Sequence, residues 1–522
     1  MKKLLTLMLV LSMVLVLFAA CGGEPAKTQQ ATGNKQTQSQ TGTKQNSNKD
    51  EWGRDKVETS LPADLNFGGE TINIYTCKSQ LGDLFAEELN DDIINDAVYN
   101  RNIKVEEDLG VKLNWIIFEG SSGSTDFANS VDAMVFNDTG DYDIAMGYGY
   151  FLPSVITVNT YTNLYDVPYL DFEKPWWNQI YVEEATLNGQ MYTCVGDLSL
   201  ASTSAAGCIF FNKRLADEHY ADLGGAEGIY KLVIDGKWTM DKFTELVKDK
   251  WIDTDGDGQK SEGDFFGFGS WFSGPIPCDS FQYGMDAPIT RDDENGIPYL
   301  TYNTEKTVNA LNKLYTLAYE CDGVLADKSY YGNDEKNSLM FSKFINGSMI
   351  FMADTLSAAN SFRDMKDDYG LLPMPKYDEN QSQYYTSQHD YYKAFAIPAG
   401  IERHLCSDGT TTRDYLAGAV LEKLNEESYR TVAPNYFEVV MKYRYIRSDD
   451  SEDYDLKVYD MILAGNNFNF GLIYSNLYGN VSFKFRHMIG RDASNDFASM
   501  WSAIETDVTN DFEYLVNYFT EV

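Results

Sequence analysis

The run Asp253-Thr254-Asp255-Gly256-Asp257-Gly258-Gln259-Lys260-Ser261-Glu262-Gly263-Asp264 sets carboxylates at the first, third and fifth positions of a twelve-residue loop, with glycine at the sixth and an acid at the twelfth. A hard cation such as Ca2+ takes about six to eight oxygen ligands, and this spacing wraps several of them round one ion, with a glycine for the sharp turn. The expected ligands are Asp253, Asp255, Asp257, the carbonyl of Gln259 and Asp264, with Ser261 acting through water. Asp264 is one methylene shorter than the glutamate that usually closes such loops, and Phe265-Phe266-Gly267-Phe268-Gly269 after it reads as a strand. The expectation is an isolated, structural calcium loop rather than a paired sensor; the bland alternative is a solvated acidic turn.

Aromatic residues are the second chemical signal, with 36 Tyr, 29 Phe and 8 Trp. Sugars present apolar C–H faces and a rim of hydroxyls, so they are held by stacking on rings with polar side chains at the edge. Tyr148 and Tyr150 follow a predicted strand end, Trp271 follows the strand after the acidic loop, Asp354 ends the strand around Met349, and Tyr391 lies near a later strand. These are the candidate ligand contacts, each weighed against ordinary packing. Asp197 is a further candidate, able either to accept sugar hydroxyls or to cap local backbone. Trp176 and Trp177 follow Pro175 at a predicted helix start and are assigned to packing.

Bond-making chemistry finds little support. His219, His389, His404 and His487 are isolated, without the spacing of a metal site or a triad. Acids are so abundant that neighbouring carboxylates alone do not define a glycosidase pair, and glycine-rich phosphate loops are absent. The chain is therefore expected not to be an enzyme.

The elements that must position these residues alternate. Residues 69–76 read as a strand, 90–108 as a helix, 111–118 and 142–146 as strands, and 207–213, 343–352 and 369–375 supply further strands. The last part, from about 408, is largely helical, with amphipathic runs at 412–424 and 497–519. Strands alternating with helices imply an α/β fold with a mostly parallel sheet and ligand contacts at strand C-terminal ends.

Length and charge narrow the setting. The 522 residues carry 42 Lys and Arg against 79 Asp and Glu, a net charge of −37. A surface of that sign excludes nucleic acid and an electrostatic grip on anionic lipid. Lys2 and Lys3 precede the uncharged residues 4–20, and the segment ends at Phe18-Ala19-Ala20-Cys21. This is the layout of an export signal and resembles a bacterial lipobox, with Phe where Leu is preferred. Residues 1–20 are expected to be a lipoprotein signal peptide, Cys21 the lipidated N-terminus, and 21–58, poor in apolar residues, a flexible tether. With 8 basic and 5 acidic side chains in 1–58, the remainder carries 34 basic and 74 acidic ones.

The order of motifs resembles the extracellular solute-binding proteins of bacterial ABC importers, in the carbohydrate-binding branch called family 1. It is carried by Tyr142-Asp143-Ile144, Asn188-Gly189-Gln190-Met191-Tyr192 before Gly196-Asp197, Phe211-Asn212-Lys213, Phe344-Ile345-Asn346-Gly347 before Ala353-Asp354, and Leu372-Pro373-Met374-Pro375. Lys174-Pro175-Trp176-Trp177 and Asn467-Phe468-Asn469-Phe470-Gly471 look like a subgroup among clostridial-type lipoproteins. The resemblance spans about 65–480. It implies a two-lobe type II binding-protein fold with lobe 1 at 59–200 plus 345–390 and lobe 2 at 201–344 plus 391–522. Hinge crossings are expected near 199–206 and 387–396. It also implies a carbohydrate ligand of oligosaccharide type held between the lobes, delivery to ABC permease subunits, a monomer, and a place on the outer face of the cell membrane through the lipid alone. The alternatives are a secreted carbohydrate-active enzyme, or a binding lipoprotein for peptides or polyamines.

Overall fold

The computed structural model describes residues 53–520 apart from 273, 275, 328–333 and 447–452. The signal peptide, Cys21 and the tether up to residue 52 lie outside the described residues. No helix among the described residues is long and apolar enough to cross a membrane.

Two sheets organise the chain. The first has Glu70–Cys77 at its centre, parallel to Val111–Phe118 on one side and to Ile144–Tyr148 on the other, with Lys393–Ala396 antiparallel at the far edge. Its strands form because apolar residues recur on the covered face: Ile72, Ile74 and Ile144 are buried. The helix Ile93–Leu109 starts where the Asp92 carboxylate accepts the amides of Ile94 and Asn95, both at 3.0 Å. It turns Val98, Val105 and Leu109 inward at helical spacing. Arg101 on the same face is also buried, its guanidinium donating to the carbonyls of Asp83 and Leu84 at 2.9 and 2.6 Å.

The second sheet runs Tyr369–Leu372, Gly207–Asn212, Met349–Thr355, Phe265–Trp271, Trp251–Ile252, with Val324–Asp327 also beside Phe265–Trp271. Gly207–Asn212 is buried along its whole length, as expected of a strand covered on both faces. Its core is aromatic: Phe243 meets Phe268 at 5.0 Å and Phe351 at 5.5 Å between ring centroids, edge to face in both cases. Much of the aromatic surplus that suggested ligand stacking is thus spent on packing. The mostly parallel arrangement predicted from the sequence holds in the first sheet only. In the second, Gly207–Asn212 is antiparallel to both neighbours and Trp251–Ile252 is antiparallel to Phe265–Trp271.

The expected lobe borders need correcting. Met349–Thr355 and Tyr369–Leu372, placed in lobe 1 from the sequence, pair in the second sheet, and Lys393–Ala396, placed in lobe 2, closes the first. The C-terminal part is shared rather than confined to lobe 2. Arg413, at the start of the helix Arg413–Glu427, forms ion pairs with Asp143 and with Glu70 at 3.0 Å in the first sheet. Asp455, at the start of Tyr454–Ala464, pairs with Lys213 and Tyr230 beside the second. Alternation patterns mark strands but not strand partners, because pairing is settled by contacts distant in sequence. Residues 53–58 are likewise not tether: Arg54 donates to the Tyr429 carbonyl at 2.8 Å and Arg430 to the Val57 carbonyl at 2.7 Å.

Between the sheets the chain crosses at 199–206 and again at 386–392, and the two passages run side by side. Ala206 bridges Gln388, the His389 amide donates to the Ala205 carbonyl at 2.8 Å, and the Thr386 hydroxyl donates to the Gly207 carbonyl at 2.7 Å. A third passage joins them where Thr386 and Ser387 pair in parallel with Asn466 and Asn467.

Candidate functional site

A cavity of about 390 Å³ opens at these crossings, against the ends of the strands Phe265–Trp271 and Met349–Thr355. Its wall includes Trp271, Met352, Asp354, Asn360, His389 and Tyr391. Three of the six ligand residues expected from the sequence, Trp271, Asp354 and Tyr391, therefore meet in one place. They arrive from two strand ends and one crossing, the positions at which an α/β fold offers its loops.

The indole is set by Gly274. A Cβ there would lie 2.8 Å from Trp271 Cε3, so only glycine lets the backbone lie so close to that ring. Asp354 accepts from the Thr355 amide at 2.7 Å and its hydroxyl at 3.3 Å, both through Oδ1. Burial pushes its carboxyl above the ordinary range, against the opposing pull of the Thr355 amide and the nearby His389. The Tyr391 hydroxyl joins a chain of hydroxyls, 3.2 Å from Ser357 Oγ, which stands 2.7 Å from Thr355 Oγ1. The lining thus supplies donors and acceptors in a row together with an indole.

Of the remaining expected contacts, Tyr148 stands one layer behind. Its hydroxyl donates to Asp390 Oδ1 at 2.7 Å, and Asp390 also meets His389 Nδ1 at 3.0 Å and Arg486 at 2.9 Å. Arg486, fully buried, is shared with Asp279, whose Oδ1 lies 2.9 Å from its Nε. Burial opposes ionisation of Asp390, but Arg486 and His389 outweigh it and hold the carboxyl well below the usual range.

Tyr150 and Asp197 do not reach the cavity. The Tyr150 ring is buried, and its hydroxyl lies 3.1 Å from Asn480 Oδ1 and 3.2 Å from Ser482 Oγ. The extended spacing that set Tyr148 and Tyr150 together ends at Tyr148, and the turn after it points Tyr150 into the core. Asp197 sits 3.7 Å from Arg54, and its amide donates to the Trp176 carbonyl at 2.9 Å. It is tied to the N-terminal segment and not to the cavity.

His389 is the residue that sequence reading missed. It was isolated along the chain, and the only available signal was its place two residues before Tyr391. Trp176 and Trp177 are packing residues, as expected, although the helix after them starts at Gln179. Both indole N–H groups donate to the buried Glu422, at 3.1 and 3.0 Å.

The acidic loop joins the antiparallel strands Trp251–Ile252 and Phe265–Trp271 and stands apart from the cavity. Carboxylate oxygens of Asp253, Asp255 and Asp257 lie within 4.8 Å of one another. Gly256 and Gly258 donate to the two oxygens of Asp253 at 2.6 and 2.8 Å, and Gly258 has φ of 73°, the left-handed turn its position in the loop required. The Asp257 amide favours the Asp255 carboxylate, but desolvation and the carboxylates of Asp257 and Asp253 push its pKa up. Gln259 donates its amide to Asp257 Oδ1 at 2.7 Å. Asp264 departs from expectation. Its oxygens accept from the Thr254 and Ser261 amides at 3.0 and 2.8 Å and from the Trp251 indole at 3.1 Å, which lower its pKa to about 2. The shorter side chain is committed to closing the loop and is not among the gathered oxygens.

No protein-family model matches the chain, and no curated protein matches it. Solved structures do. A cyclo/maltodextrin-binding protein complexed with maltotetraose superposes with a TM-score of 0.50 at 10% identity, over 86% of this chain and 97% of that one. An ABC substrate-binding protein from Listeria monocytogenes in complex with cycloalternan gives a TM-score of 0.48 at 13% identity, over 87% and 99%. A Streptococcus pneumoniae solute-binding protein in complex with the blood group A-trisaccharide gives 0.48 at 15%, over 86% and 100%. The first of these, with the two sheets and their paired crossings, fixes the fold: two α/β lobes of the binding-protein type, with the cavity where the chain passes between them.

Proposed function

We propose that this chain is a solute receptor that holds a carbohydrate at the crossings and hands it to the permease of an ABC importer. The observation that carries the reading is the convergence of Trp271, Tyr391 and Asp354 on one cavity at the passage between the two sheets. An indole and a phenol suit the apolar face of a sugar ring, while the carboxylate and the hydroxyl row suit its rim. The cyclo/maltodextrin-binding protein of the same fold was solved with maltotetraose.

Tyr391 leads directly into the edge strand of the first sheet, whereas Trp271 and Asp354 belong to the second. A ligand touching all three has contacts on both sides of the crossing, and contacts made only in the closed arrangement stabilise it. The paired carboxylates that a glycosidase uses are not gathered here, Asp354 being the one carboxylate on the cavity wall among the described residues. The receptor would be exported, lipidated at Cys21, tethered outside the cell and monomeric. A calcium ion held by Asp253, Asp255 and Asp257 would stabilise the hairpin loop; three carboxylates so close, two of them exposed, favour a divalent cation.

Thermal melting of the purified chain against mono- and oligosaccharides tests the ligand. A ligand that binds only the folded state adds about 2.7 kcal/mol at a hundredfold excess over its Kd. A raised Tm with one sugar class, and the sugar recovered intact, is expected. Sugar consumed by the protein, or a response confined to peptides, would sink the reading.

A further inference from the structure

Asp354, half-buried at the end of its strand, differs from the fully buried carboxylates in what surrounds it. Nine acids are buried: Asp83, Asp143, Asp264, Asp279, Asp390, Glu422, Glu426, Glu427 and Asp455. Seven of them lie against a lysine or arginine, for example Asp143 with Arg413, Glu427 with Lys423 at 2.8 Å, and Glu426 with Arg430 at 2.7 Å. The other two, Asp264 and Glu422, are occupied by backbone amides, hydroxyls or indole N–H groups. Asp354 keeps only Thr355, on one oxygen, and its second oxygen has no protein partner among the described residues. It faces a cavity whose described lining includes no lysine and no arginine. A half-buried carboxylate with one oxygen open to the cavity can accept a donor from a ligand there.

The charges behind the wall do not supply a cation. Asp279 and Asp390 share the guanidinium of Arg486, so that cation is committed behind the wall. The neighbouring Tyr391 hydroxyl points into the row of Ser357 and Thr355, and Trp271, an aromatic ring of the kind cations favour, lines the same cavity. Carboxylate, rings and the absence of lysine and arginine from the described lining together describe a seat for a cation.

We infer that the cavity selects saccharides by charge, seating an ammonium group of an amino sugar against Asp354 and rejecting sugars that carry a carboxylate. The inference rests on the receptor reading and narrows its ligand class. An ammonium at Asp354 would meet the oxygen that Thr355 leaves open, and a charge-assisted hydrogen bond there is about twice as strong as a neutral one. A uronic acid would bring a second carboxylate into a cavity whose described lining holds no lysine or arginine to meet it.

The test is calorimetric titration of the chain with matched saccharides: glucose, glucosamine, N-acetylglucosamine and glucuronate, with maltose, cellobiose, the glucosamine disaccharide and its di-N-acetyl form. The free amines should bind at least about tenfold tighter than their acetylated and neutral counterparts, and glucuronate should not bind. Asp354→Asn keeps an oxygen for Thr355 and should abolish the amine preference while neutral sugars still bind. Its Tm without ligand should be unchanged or raised, which separates loss of selectivity from loss of fold. Neutral sugars binding as tightly as amines, or glucuronate binding at all, would overturn the charge selection and leave the receptor reading intact. Binding of no saccharide, with or without an amine, would remove both.

Discussion

Trp271 lies against the backbone at Gly274, and the close approach is what fixes its ring at the cavity mouth. Truncation to alanine removes the stacking surface without opening the core, so Trp271→Ala should weaken sugar binding at least about tenfold while Tm changes little. Titration of the variant against the best-binding saccharide checks this. Tyr150→Phe is the control: it should leave affinity unchanged, because its hydroxyl meets Asn480 and Ser482 away from the cavity. Glu422 presents a different case. It accepts two indole N–H groups and the Ser60 hydroxyl at 2.6 Å, and glutamine cannot present two acceptor oxygens. Glu422→Gln should cost about 1 to 3 kcal/mol through an orphaned donor, measured by chemical denaturation.

At the scale of elements, the hairpin loop and the crossings divide stability from function. The Asp253 loop closes on itself through Asp264 and the glycine amides, so the fold should survive chelation. Added Ca2+ should nevertheless raise Tm by mass action, and Asp255→Asn together with Asp257→Asn should abolish that rise. Terbium emission sensitised by Trp251, whose indole donates to Asp264 within the loop, offers an independent readout. No rise with the unaltered chain would dismiss the calcium proposal. The passages at 199–206 and 386–392 are hydrogen-bonded to each other and carry the chain between the two sheets.

For the molecule as a whole, buried carboxyls set the pH response. Burial raises Glu422 to about 7, against its hydrogen bonds, and raises Glu184 to about 7 likewise. A folded pKa above the unfolded value means that the native state holds a proton the unfolded chain has released. Stability from these groups is therefore full below about pH 4 and lost as pH rises to about 7, each tenfold difference in proton affinity being worth about 1.4 kcal/mol. Self-repulsion of a chain with net charge −37 acts in the same direction. Asp264 and Asp408, held at about 2 by backbone amides and by Thr411 in the case of Asp408, contribute in the window below about pH 4 and do not oppose the trend. Melting should be higher at pH 5 than at pH 8, and the slope should flatten in Glu422→Gln. An unchanged slope in that variant would leave the trend to Glu184 and to surface charge.

Spacing along the chain was enough to read the elements and the local chemistry. The period of two in 69–76, the helical spacing after Asp92, the turn at Gly258 and the packing role of Trp176 and Trp177 all follow from neighbours within a few residues, where backbone sterics and side-chain direction decide. Trp271, Asp354 and Tyr391 were legible as strand-end and crossing residues for the same reason. Which strands share a sheet was settled by contacts distant in the chain, which moved Met349–Thr355 to the second and Lys393–Ala396 to the first. It likewise turned Tyr150 into the core, tied Asp197 to Arg54, spent Asp264 on its own loop and brought His389 to the cavity wall. Each of these depends on what lies opposite a side chain across tens or hundreds of residues. Spacing along a chain carries no record of that until the backbone closes the distance.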